Sequence, residues 1–170
     1  MPTLTSEVRA GSCHTEAPWK AWLAAGLWLG LIAFESTDWL SSAHTGSLLY
    51  FWLVRLFGPI NPIAFDTFHH YLRKTGHVIG YAMLSLLLFR AWRATLPRID
   101  VARWSVRWAA IAWLMTALVA SVDEWHQSYL PSRTGTIRDV FLDSSAALLL
   151  QIVLWLILRR PTFNISREQE

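Results

Sequence analysis

The chain has 170 residues, 54% of them hydrophobic and only 16% charged, with eleven Trp and a net charge of +3. Apolar residues gathered in blocks, not spread at amphipathic spacing, exclude an ordinary soluble domain and predict a single-domain polytopic membrane protein. The arginines stand beside apolar runs and read as topology signals, so no nucleic-acid partner is expected, and the single Cys13 excludes an intrachain disulfide framework.

Residues 1–17, polar with Pro2 and Gly11, are expected to form a mobile tail; neither a lipoprotein signal nor a cleaved secretory signal is read there. The first predicted span is about Trp19–Glu35. In the long loop that follows, Leu48–Phe57 is an apolar decamer broken only by Arg55 and closed by Gly58-Pro59. It is too short to cross a bilayer and predicts a re-entrant or interfacial helix. Further spans are predicted at Leu72–Trp92, Val106–Trp125 and Arg138–Arg159, giving an all-α transmembrane domain over 18–160 with four spanning helices and a short tail at 161–170. The uncharged cores, such as Val78–Phe89 and Trp108–Val122, fall short of the ~20 residues a span needs. Each helix must therefore take in a turn carrying Lys, His, Asp or Glu. Trp residues near the run ends form an expected interfacial belt, whereas Trp28 and Trp113 lie deeper and should pack between helices.

With four spans, ten of the fifteen Lys and Arg fall on the side of the two tails and the second loop. The positive-inside rule then places both termini in the cytoplasm. Helix direction brings the polar ends to the opposite face. The second span enters with Arg73, Lys74 and His77; the third exits through Asp123, Glu124, His126 and Gln127; the fourth re-enters with Arg138, Asp139 and Asp143. At 3.6 residues per turn, His70, Lys74, His77 and Tyr81 lie within about 60° of arc on one helix. Ionisable groups at membrane depth are costly and usually functional, so these stripes should turn inward to a shared, outward-facing pocket. The tight connector with Pro131 and Gly135 hangs Arg133 over it, where a guanidinium fork suits phosphate or carboxylate.

Lys74-x-x-His77 with Gly80-Tyr81, then Asp123-Glu124-x-x-Gln127, Pro131-x-Arg133, Asp139 and an acid at 143, resembles the VanZ-like family of small bacterial membrane proteins across about residues 70–150. The resemblance implies a multi-helix protein of the cell envelope, in the bacterial inner membrane, from a family whose founding member is linked to low-level teicoplanin resistance. It carries the family's polar positions onto Lys74, His77, Asp123, Glu124, Gln127, Arg133 and Asp139. Asp143 stands where Asn is expected, and Ala146 or Ala147 where Gly is expected.

Three readings of the cluster follow. Lys74, His77 and Arg133, with Asp123, Glu124, Gln127, Asp139 and Asp143 around them, make a ligand-binding pocket for membrane lipid or a lipid-linked envelope precursor. Alternatively, Asp123 or Glu124 acts as base and His77 or His126 as proton shuttle in an intramembrane enzyme. In the third, four positive and four negative groups neutralise one another and merely staple the helices. No cofactor is expected, and no metal: Lys74 lies between His70 and His77 on one face, and no dense ligand motif appears. Tyr81 is read as helix packing, His69 as a solvated or interfacial residue, and Gln151 as an interhelical hydrogen bond.

Overall fold

The computed structural model describes residues 17–96, 104–131, 133 and 135–159. The expected tails, Ala17 apart, and most of the arginine-rich second loop lie outside these. All secondary structure among the described residues is helical: α1 (Pro18–Glu35), a 3-10 turn (Asp38–Leu40), α2 (Ser42–Phe57), α3 (Pro62–Thr95), α4 (Val106–Gln127) and α5 (Ile137–Leu158). Two of the five α-helices, α4 and α5, are long and apolar enough to cross a membrane.

Local chemistry sets the helix limits. Gly58, at φ 88°, ends α2 in a conformation that L side chains rarely adopt. Asn61 then caps α3 by accepting from the Ile63 and Ala64 amides, and Pro62 supplies a first-turn residue that needs no donor. Ser105 and Thr136 cap α4 and α5 in the same way, through the amides of Arg107 and Asp139.

Two elements differ from expectation. α3 begins at Pro62, not near Leu72, and runs for 34 residues. At 1.5 Å per residue it is about 50 Å long, well beyond a hydrocarbon core of ~30 Å. Asp66, His69, His70 and Arg73 interrupt the hydropathy there without interrupting the helix. α2 occupies 16 residues, not ten, because Ser41 caps a polar first turn ahead of the apolar stretch.

α3 is the central helix, packed on α1, α4 and α5, while α4 also packs on α5. The interior is made of small and polar side chains as well as large ones. Ala112, Ala120, Ala147, Ser85 and Thr116 have no exposed surface, and Leu84, Leu88, Phe89 and Trp108 fill the space between them. Many large apolar groups face out: Leu27, Leu118 and Phe141 are 68%, 65% and 68% exposed. Small residues let helix backbones approach closely, the packing habit of helices solvated by lipid. Polar cross-links tie the bundle. Trp28 Nε1 donates to the Gly80 carbonyl at 2.9 Å, Trp113 Nε1 to that of Ser144 at 3.0 Å, and Gln151 Nε2 to Ser85 Oγ at 2.8 Å.

Candidate functional site

Because α1 and α4 end where α5 begins, and α3 passes through the same level, their polar turns meet at one end of the bundle. A cavity of about 670 Å³ opens there. Seven of the eight side chains expected from sequence line it: Lys74 and His77 from α3, Glu124 and Gln127 from α4, Arg133 from the connector, and Asp139 and Asp143 from α5. Asp123 does not.

Asp123 instead accepts from the Tyr81 hydroxyl at 2.7 Å and from Gln127 Nε2 at 3.0 Å, and Gln127 Nε2 also reaches Ser36 Oγ at 3.3 Å. Neighbouring residues on a helix point about 100° apart, so Asp123 closes a seam between α1, α3 and α4 while Glu124 faces the cavity. His126 is exposed and is not part of the cavity wall.

The cations are held in two ways. The Lys74 ammonium pairs with Asp139 Oδ1. Arg133 Nη2 donates to backbone carbonyls of Glu35 at 2.5 Å, Thr37 at 3.0 Å and Leu40 at 3.0 Å. Arg73 Nη1 donates to the same Leu40 carbonyl at 3.1 Å. Two guanidiniums thus converge on one oxygen, and among the described residues neither has a carboxylate within 4 Å. Arg133 lies at the cavity as the connector predicts, and one arm of its fork is given to the α1–α2 junction. Burial draws the Arg133 pKa below its ordinary value, against the pull of Asp123 and Asp38. A guanidinium starts so far above neutrality that it stays charged.

Glu124, 5% exposed, accepts from the Thr136 amide at Oε2, 2.8 Å away. Gly135 makes this contact possible: a Cβ there would lie 2.1 Å from the Glu124 carbonyl oxygen and 2.8 Å from the Ser128 nitrogen. Asp143 is fully buried, and neither of its carboxylate oxygens has a hydrogen-bond partner. His77 Nδ1 is nearest among charged groups, at 3.5 Å. One donor atom each from His77, Glu124 and Asp143 lies within 4.8 Å of the other two, the only such His, Cys, Asp or Glu group among the described residues close enough to hold a metal ion.

Much of the remaining wall comes from the long first loop, where sequence reading expected only the short helix Leu48–Phe57. α2 contributes Gly46, Ser47 and Tyr50, and the first turns of α3 contribute Phe65, Asp66, His69, His70 and Arg73. His69 is 8% exposed, not solvated; it stacks on Phe65 with centroids 5.7 Å apart and approaches Thr45 Oγ1 at 3.4 Å. Its i, i+4 spacing from Phe65 and Arg73 on one helix was the available signal.

An apolar exterior, a small-residue interior and two helices long and apolar enough to cross a membrane are features of helical membrane proteins. The family model described as VanZ/LLP1 matches residues 21–159, and the chain belongs to that family. Neither the comparison with curated proteins nor that with solved structures finds a match.

Proposed function

We propose that this is a four-span protein of the bacterial cell membrane, both termini cytoplasmic, whose cavity opens outward and holds the anionic headgroup of a lipid or lipid-linked envelope precursor. The observation that carries this reading is the pair Arg73 and Arg133, gathered on the Leu40 carbonyl at the wall of the cavity. Backbone carbonyls fix the two guanidiniums without cancelling their charge, and phosphate oxygens accept from such groups in pairs. The cavity's 670 Å³ falls in the range of small-molecule sites, roughly 300–1,000 Å³.

The membrane placement rests on lengths and faces. α1, with 18 residues, is about 27 Å long and presents Leu23, Leu27 and Leu31 outward. The excess length of α3 carries Asp66 and His70 past the hydrocarbon boundary, where α2 packs on it. Leu48, Phe51, Trp52 and Leu56 make an exposed stripe at helical spacing along α2, as in a helix lying in the interface. Such a helix at the cavity rim offers an acyl chain an apolar path while the headgroup sits inside. Holding a lipid-linked precursor in this way is how the protein would bear on teicoplanin resistance.

A purely mechanical network is less well supported. Of the Lys and Arg side chains lining the cavity, Lys74 alone has a described carboxylate within 4 Å, so the charges there do not neutralise pairwise. Native mass spectrometry of the purified protein with phosphatidylglycerol and phosphatidylcholine tests the reading. The wild type should retain phosphatidylglycerol about tenfold better, the worth of one charge-assisted hydrogen bond. Arg73→Gln should lose that preference with helicity intact. Equal retention of both lipids by the wild type contradicts the proposal.

A further inference from the structure

We infer that His77, Glu124 and Asp143 form a binding site for a divalent first-row metal ion, Zn²⁺ or Mn²⁺, in the wall of the cavity. Each residue comes from a different helix, and one donor atom from each lies within 4.8 Å of the other two. An ion bound at about 2.0–2.2 Å holds its ligands roughly 3–4 Å apart, so modest side-chain rotation closes the shell.

Asp143 supplies the independent observation. It lines the cavity with no exposed surface, and both oxygens lack a hydrogen-bond partner. A buried carboxylate left in this way is expensive, and a cation is the partner it calls for. Of the cavity's basic side chains only His77 approaches Asp143, at 3.5 Å and without hydrogen-bond geometry, while Lys74 is committed to Asp139 and Arg73 and Arg133 to backbone carbonyls. From sequence, the charge of Lys74 one turn before His77 opposes a metal. Its pairing with Asp139 removes that objection.

The donor set fits the ion. Two carboxylates and a neutral imidazole carry a charge of −2, which a divalent cation balances, and mixed nitrogen and oxygen ligands suit Zn²⁺ or Mn²⁺. Glu124 is already oriented by the Thr136 amide at Oε2, which leaves Oε1 for the metal; outer hydrogen bonds of this kind position ligating carboxylates. Three protein ligands leave a coordination position open toward the cavity. The site stands whether or not a lipid headgroup enters.

The test uses the full chain purified in detergent, stripped with EDTA, and reloaded with Zn²⁺ or Mn²⁺. Metal content by inductively coupled plasma mass spectrometry should reach about one ion per chain. Asp143→Asn and His77→Ala should weaken binding by about tenfold or more, with helicity by circular dichroism unchanged. Should those variants fail to fold, the wild type still decides: EDTA must lower its thermal midpoint and the added ion must restore it. A folded wild type that takes up no metal, or folded variants that load as fully as the wild type, overturns the inference.

Discussion

The Tyr81 hydroxyl donates to Asp123 Oδ2 at 2.7 Å, and this bond separates two adjacent acids by role. Asp123 is bound into the seam between α1, α3 and α4, while Glu124 faces the cavity. Tyr81, 2% exposed, cannot be replaced by water. Tyr81→Phe should therefore cost about 1.5–3 kcal/mol, the usual worth of a hydrogen bond to a charged group. Thermal unfolding in detergent would show the drop, with phosphatidylglycerol retention unchanged. An unaltered midpoint with lost retention would mean that Tyr81 acts on the ligand instead.

Lys74 and Asp139 link α3 to α5, with side chains 37% and 23% exposed. Solvent screening at that exposure limits the pair to about 1 kcal/mol. Lys74→Met and Asp139→Asn should each destabilise modestly, and the double variant by less than their sum. Coupling near 1 kcal/mol in a double-mutant cycle is the expected result; strict additivity would show that the contact contributes nothing.

Arg133 Nη2 serves three backbone carbonyls between Glu35 and Leu40. Glutamine is too short to reach them. In Arg133→Gln, amide hydrogen exchange at Thr37–Ser41 should accelerate by about tenfold or more, corresponding to loss of at least one charge-assisted bond. Arg133→Lys should fall between, because a lysine keeps the charge but not the planar fork.

Gly135 passes close to the end of α4, and the atoms nearest to a new Cβ are backbone atoms that cannot rotate aside. Gly135→Ala should displace the connector and weaken the Thr136–Glu124 contact. A cost of about 2–3 kcal/mol is expected, together with reduced occupancy of the cavity. A variant as stable as the wild type would show that the connector can take another path.

Much of the site was legible because helical period and polar placement act together. The stripe through Lys74, His77 and Tyr81, and the acids at 139 and 143, needed only 3.6-residue spacing and the cost of charge in lipid to be assigned to one end. Gln151 likewise finds an interhelical partner, Ser85. The parts that were not legible depend on contacts between distant segments. No local pattern tells that Arg133 docks on the Leu40 carbonyl, or that Tyr81 takes Asp123 out of the cavity. The helical start of α3 was hidden because hydropathy falls at Asp66–His70 while the helix continues. Gly46, Ser47 and Tyr50 of α2, and Phe65, Asp66 and His69 of early α3, were missed as site residues, whereas His70 and Arg73 stood on the expected polar stripe.

Cryo-electron microscopy of the protein in anionic-lipid nanodiscs decides whether the chamber holds a headgroup. Phosphate density is expected inside the chamber, within hydrogen-bonding reach of Arg73 and Arg133, with the acyl chains leaving past α2. A chamber holding only water, with headgroups confined to the outer belt of the bundle, would contradict headgroup binding.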